Sequence, residues 1–259
     1  MQISQSPSFQ SLDQATSTQS TQQQRLGSGQ RINSAKDDAA GLSISNRMDT
    51  QSRSMTAAVR NTMDGVSRIQ VEDGALGSIS EDFQRIRELG VQQQNGTLNE
   101  SDKRAIQSEI DQRLDSINSQ FEQTQFNGRN VFEQEDQSFQ VDANAGDQIT
   151  LKGTGVADTL NQFGVEAGSE IDLDAIDQAL ESVNDRRVEL GAVSNRLSAS
   201  ADFVALKNQN NQEASSRIRD TDYAQAASEK SKADIQRQVS ISVTAQGNAN
   251  RQDVLKLLG

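Results

Sequence analysis

The residues of this chain with most chemistry of their own are Asp37 and Asp38, adjacent carboxylates preceded by Lys36. A carboxylate pair can hold a metal ion or perform acid/base work. No nucleophile and no third type of ligand lies near them in pattern. The chain has no histidine and no cysteine, so imidazole and thiol catalysis, ligation of a metal by either group, and disulfides are all excluded. A second reading makes these two acids a solvated helix start, with carboxylates near the positive end of the helix dipole. No catalytic, cofactor-binding or metal-binding residue is assigned, and the chain is read as a non-enzyme. Two Asn-X-Ser/Thr triplets, at Asn95 and Asn99, fit the N-glycosylation pattern by chance.

Composition narrows the class. Of 259 residues, 33% are hydrophobic and 3% aromatic, with no Trp and the single Tyr at 223. That is too little bulk for a thick globular core and enough for a thin seam between helices. Lys and Arg number 25 against 37 Asp and Glu, a net charge of −12. Phosphate repels such a chain, so no nucleic-acid partner is expected. Acidity favours solubility of the free chain and suits a saline medium. No run approaches the roughly 20 apolar residues of a membrane helix, and residues 1–24 have neither the basic start nor the apolar stretch of a cleavable secretory signal.

The elements that position these residues are written in the apolar periodicity. Met48, Met55, Ile69, Leu76 and Phe83 fall on a seven-residue line with Thr62 filling the gap, and Val59 and Val66 lie on the neighbouring line. Ile176, Val183, Leu190, Leu197 and Val204 repeat the spacing, with Leu173, Leu180 and Ala201 beside them. Sustained heptads predict long helices wound left-handed about a partner. Neither tract holds a proline to break it. Antiparallel packing of such tracts makes a rod about 60 Å long, at 1.5 Å per residue for about 40 residues. A shorter stretch of similar spacing runs through Ile106, Ile110, Leu114, Ile117 and Phe121. Between the long tracts the period changes. Residues 138–153 (SFQVDANAGDQITLKG) alternate around a Gly-containing turn and predict a β-hairpin. Residues 152–170 read as a connecting loop with a short turn of helix. The fold class is therefore mainly α, a long antiparallel coiled-coil bundle with a small β-hairpin.

The ends differ from the middle. Residues 1–30 are rich in Gln, Ser and Thr, with sparse anchors at Ile3, Phe9, Leu12, Ala15 and Leu26. From Tyr223 onward, Ala224, Ala227, Ile235, Val239, Val243, Val254 and Leu257 lie near one helical face, and residues 254–258 are strongly apolar. Alone, neither end buries enough surface to offset an ordering entropy of about 1–2 kcal/mol per residue. One reading is two frayed tails. The other is sticky segments that order when stacked on each other or on neighbours.

Residues 24–48 (QRLGSGQRINSAKDDAAGLSISNRM) closely resemble the N-terminal motif of bacterial flagellin. QRIRELGVQ (84–92), IQSEIDQRL (106–114), QTQFNG (123–128), VDANAGDQITL, ELGAVSNRL, SRIRDTDYAQAASEKSKADIQRQ and VLKLLG follow in the family's order. The resemblance covers almost the whole chain. It implies a filament subunit for swimming motility with discontinuous domains. Residues 1–35 are the N-terminal part of the inner tube (D0) and the start of a spoke. Residues 36–126 are the N-terminal part of the next shell (D1), with the spoke's end and two helices. Residues 127–170 are the hairpin and a short loop in place of outer domains, 171–219 the returning D1 helix, and 220–259 the C-terminal D0 helix. Inner-tube packing falls to Leu12, Leu26, Ile235, Val239, Val243, Val254, Leu255, Leu257 and Leu258. The spoke and its contacts between subunits fall to Asn33, Lys36, Asp37, Asp38 and Gly41, with Lys36 and the two acids pairing across subunits. The stretch before Gln24 is shorter than in enterobacterial flagellins and holds Pro7, so the inner helix is expected to be shortened or to start late.

The resemblance also implies partners and a place. The chain is secreted through the flagellar type III export channel without a cleaved signal peptide, and resides outside the cell in the filament. Copies of itself, an export chaperone, the filament cap and the junction proteins are the expected partners, with no membrane and no cofactor. Arg85, Leu89 and Glu109 fall where the family is gripped by the vertebrate Toll-like flagellin receptor, with Gly90 in place of the commoner Ala. The alternative within the superfamily is a hook–filament junction protein.

Overall fold

The computed structural model describes the backbone of residues 7–153 and 172–258, and the side chains of 10–153, 172–250 and 252. Five helices and four short strands lie within them: α1 (Pro7–Ser28), α2 (Ala39–Gln93), α3 (Glu100–Gln123), β1 (Gln125–Phe126), β2 (Arg129–Asn130), β3 (Gln137–Gln140), β4 (Gln148–Leu151), α4 (Leu173–Arg219) and α5 (Tyr223–Leu258). The expected loop over 152–170 falls almost wholly outside the described residues. Among those described, no helix is long and apolar enough to cross a membrane.

Four helices start on an acidic or amide cap, which satisfies amide groups the first turn leaves unpaired. Asp38 accepts from the amide of Gly41 at 2.8 Å, and Asp172 from that of Asp174 at 3.0 Å. Asp222 accepts from the amides of Ala224 and Gln225 at 2.9 and 3.1 Å. Asn99 and Asp102 form a reciprocal capping box on α3. Pro7 opens α1, where its fixed φ and missing N–H cost nothing.

The chain forms two compact units, residues 1–52 with 209–259, and residues 53–208. In the second unit α2 and α4 run antiparallel: Arg87 pairs with Asp177 (2.6 Å), Asp73 with Arg187 (2.8 Å) and Thr56 with Asn208 (3.1 Å). α3 lies antiparallel to α2 in the same way, through Asp82 with Arg113 (2.9 Å) and Arg85 with Glu109 (3.0 Å). The seven-spaced residues of both tracts form the seam. Met55, Ile69, Leu76 and Phe83 on α2, and Ile176, Val183, Leu190, Leu197 and Val204 on α4, are all buried. Thr62 fills its gap in the line with its hydroxyl bonded to the carbonyl of Ala58 at 2.8 Å. All five apolar residues of the third stretch are buried on α3.

β3 and β4 pair antiparallel with Phe139 opposite Ile149, as the alternation predicts. Phe139 lies over Gly65 of α2; a methyl group there would fall 2.9 Å from the ring, so the strand packs this close only because residue 65 has no side chain. Asp142, in the turn, takes Lys207 of α4 at 2.6 Å. Burial opposes its ionisation, yet Lys207 and the Ala143 amide hold its carboxyl below the usual range. β1 and β2 form a smaller hairpin closed by Asn127 and Gly128, both at positive φ, the geometry an Asn-Gly turn supplies.

Among the described residues, the buried charges of this unit other than Asp82 form one cluster. Glu72 is 0% exposed and bridges Arg186 of α4, at 2.7 Å, and Arg68, at 3.3 Å. The guanidinium groups also reach the carbonyls of Val131 (2.8 Å) and Lys152 (2.9 Å) at either end of the β segment. Arg186 further meets Glu189 at 2.9 Å. Burial pushes the Glu72 carboxyl up against the pull of Arg186 and Arg68.

In the first unit α1 packs on α5. The contact is made of small and polar residues: Ala15 and Gln22 of α1 and Ala226 and Ala233 of α5 are buried. Ala224 and Ala227, which the spacing puts near one face with Ile235, Val239 and Val243, are exposed, and the buried face is that of Ala226 and Ala233. The reason is the partner: α1 offers Ser, Thr and Gln across most of its length, and a helix meeting such a surface approaches closely through methyl groups.

Candidate assembly site

The segment between α1 and α2 is built from local hydrogen bonds. Gly29 ends α1 at φ +72°, a left-handed turn that glycine adopts without strain, and its amide returns to the carbonyl of Arg25 at 2.9 Å. Gln30 then forms an antiparallel bridge to Asp220. The amide of Arg31 donates to the carbonyl of Arg219 at 2.7 Å, and the amide of Thr221 to that of Gly29 at 3.0 Å. Arg31 adds a guanidinium bond to the carbonyl of Ile218 at 2.7 Å. Tyr223 donates its hydroxyl to the carbonyl of Leu26 at 2.7 Å, and Arg219 meets Asp49 at 3.1 Å. The two connections between helices are thereby tied together inside one subunit. None of Arg31, Arg219, Asp220 or Tyr223 was singled out for this role by spacing. The only sign was that Tyr223 is the single tyrosine.

The five expected spoke residues meet here in different roles. Asp37 accepts from the Asn33 amide (3.2 Å), the Ser34 amide (2.9 Å) and the Ser34 hydroxyl (2.9 Å). The Ser34 hydroxyl bond is the main reason its carboxyl stays below the usual range. Asp38 caps α2. Gly41 is buried, and a methyl group there would fall 2.5 Å from the Asp38 carboxylate and 2.8 Å from the side chain of buried Ile32. Asn33 and Lys36 stand exposed. Both carboxylates are therefore engaged within their own chain, and Lys36 stands exposed beside them. Among the described residues no group of three or more acidic side chains converges as a metal site would require. Asp38→Ala is expected to lower stability by about 1 kcal/mol through the lost cap, while Asp38→Asn, which keeps an accepting oxygen, stays near the parent in denaturant melts. Equal losses for the two would show that charge, not capping, matters at this position.

The inner-tube residues named from the sequence divide into three groups. Leu12 and Leu26 are half-buried. Ile235, Val239 and Val243 are 63, 55 and 55% exposed, spaced four apart along one stripe of α5. The side chains of Val254, Leu255, Leu257 and Leu258 lie outside the described residues. In the other unit, Val188, Phe203 and Leu206 of α4 are large apolar side chains left exposed. There too, Arg85 is exposed and bound to Glu109 and Glu88, both at 3.0 Å, while Leu89 is buried beneath. Of that trio Arg85 and Glu109 present charge outward and Leu89 holds the helix pair together.

The model of the bacterial flagellin N-terminal helical region matches residues 1–137, and that of the C-terminal helical region matches residues 173–258. The chain belongs to the bacterial flagellin family. Similar proteins include the flagellin of Halalkalibacterium halodurans, 38% identical over 91% of this chain and 90% of the relative. The flagellin of Bacillus subtilis is 36% identical over 91% of each. A flagellar filament 30.7 kDa core protein of Treponema maltophilum is 35% identical over 91% of this chain and 90% of the relative. The crystal structure of Bacillus cereus flagellin aligns at 30% identity with a TM-score of 0.51, covering 56% of this chain and 88% of the other. This flagellin is accordingly a structural subunit of the flagellar filament.

Proposed function

We propose that this flagellin is exported unfolded and polymerises at the distal tip of the filament, with α1 and α5 contributing to the inner tube and residues 36–219 to the next shell. The observation that carries this reading is the stripe Ile235, Val239 and Val243. It stands exposed on a helix whose own seam is made of alanine. A stripe of that kind is costly in water and marks a surface awaiting a neighbour. A head-to-tail contact that does not close on itself propagates as a helical filament. The domain limits proposed from the sequence, 1–35 with 220–259 and 36–219, differ from the two compact units, with Asn33, Lys36, Asp37, Asp38 and Gly41 as the spoke. Val188, Phe203 and Leu206 supply apolar contact between neighbouring shells.

The role is structural and not catalytic. The apolar end of α5 is the segment an export chaperone covers before secretion, and the cap and junction proteins are its further partners. Arg85 and Glu109, with Leu89 supporting them, form the surface open to the vertebrate receptor on the free subunit. The junction-protein alternative is separated by copy number in purified filaments, where a bulk subunit dominates.

Seeded elongation tests the proposal. Purified subunits added to filament fragments extend them, as seen by electron microscopy. Deleting residues 225–259 leaves a soluble helical protein that no longer elongates. Continued growth of the truncated chain would sink the assignment of α5.

A further inference from the structure

The contact between α1 and α5 poses a problem of register. Its buried residues are Ala15, Ala226 and Ala233, and one methyl group serves as well as another a turn away. A single polar side chain interrupts them. Gln22 is 5% exposed, and its Nε2 donates to Oε2 of Glu229 across the contact at 2.7 Å. The other carboxylate oxygen of Glu229 accepts from Gln225 at 3.0 Å, so both oxygens are oriented. The Oε1 of Gln22 is buried without a partner, a cost that only the Nε2 bond offsets.

We propose that the Gln22–Glu229 hydrogen bond is the register pin of the α1–α5 pair, and that it thereby fixes which residues of α1 stand beside the apolar stripe of α5. Sliding α5 by four residues in one direction puts Ala233 opposite Gln22 and leaves the whole buried amide unpaired. Sliding it the other way carries the Glu229 carboxylate into the buried place now held by Ala233. Either slip buries a polar group with nothing to meet it, which is how one polar residue in an otherwise permissive helix contact fixes alignment. In the pinned register Ile235 and Val239 line a groove with Ser11, Gln14, Ala15 and Thr18 of α1 while staying 63 and 55% exposed. That this groove meets the next subunit rests on the filament reading given above.

The test uses the full chain in three forms: the parent, Gln22→Glu, and Gln22→Glu combined with Glu229→Gln. The single variant sets two carboxylates against each other, and the double variant restores the hydrogen bond with donor and acceptor exchanged. Seeded elongation is expected to slow at least about tenfold in the single variant, since opposed like charges cost several kcal/mol, and to recover in the double variant. Unchanged elongation of Gln22→Glu, or a double variant as slow as the single, overturns the pin. Failure of the parent itself to elongate counts against the filament reading instead. In that event amide exchange over residues 10–28 and 223–245 of the isolated chains decides the register claim. Protection lost in the single variant and regained in the double supports it, and equal protection in all three overturns it.

Discussion

Replacing Arg186 by alanine lowers the unfolding free energy by about 3–5 kcal/mol at neutral pH, the usual cost of removing one partner from a buried ion pair. Glu72 is fully buried, and Arg186 makes the closest contact to it, at 2.7 Å. Without Arg186 the carboxylate keeps only Arg68, at 3.3 Å, and the carbonyl of Lys152 loses its donor. The pH dependence of the loss has a definite sign. Burial already pushes the Glu72 carboxyl up, and Arg186 is the largest pull in the other direction. In the variant the folded chain takes up a proton on Glu72 at a pH where the unfolded chain does not, so stability is regained as pH falls through that raised value. The deficit against the parent is therefore smaller at about pH 5 than at about pH 7. Changing Arg68 to Met, Glu72 to Leu and Arg186 to Met together costs less than Arg186→Ala alone, because no charge is left stranded. Denaturant unfolding of the three proteins at the two pH values checks the set. A single variant as stable as the parent would mean that water reaches Glu72.

Phe83→Ala is expected to cost a similar amount, about 3–5 kcal/mol, for a different reason. Phe83 is 0% exposed in the core shared by α2, α3 and α4. The helices around it are held by polar ties, Asp82 to Arg113 and Arg87 to Asp177, so the site cannot close over the missing ring. The cavity persists, and its loss of contacts adds to the lost burial. Phe203→Ala is the matched control. The same side chain there is 63% exposed, and its removal changes stability by no more than about 0.5 kcal/mol. Phe203→Ala is read instead by slower elongation. Comparable destabilisation by the two substitutions would contradict the burial assigned to each.

The helical seam was legible residue by residue. Met55, Ile69, Leu76, Phe83, Ile176, Val183, Leu190, Leu197 and Val204 are buried because a seven-residue spacing keeps them on one side of any helix. The second hairpin was legible too, since alternation and a Gly-containing turn are local features. The spoke was half legible. Asp37 and Asp38 stand out in the sequence, but their bonds to Ser34 and to the first turn of α2 within the chain were not anticipated. The face of α5 that meets α1 was not legible. The structure uses Ala226 and Ala233 there, a choice made by the polar surface of α1 some two hundred residues away in the chain.

Periodicity, the absence of histidine and cysteine, and the ordered motifs of the chain determined by themselves that this is a helical, non-thiol, self-associating flagellin. These are properties of composition and of neighbours along the backbone. Only the folded structure decided that Arg68, Glu72 and Arg186 are buried as one group, that Gln22 meets Glu229, and that the segments around Gln30 and Asp220 are bridged. Each joins residues distant in sequence, and whether a charged or amide side chain faces water or a partner depends on what the rest of the chain lays over it.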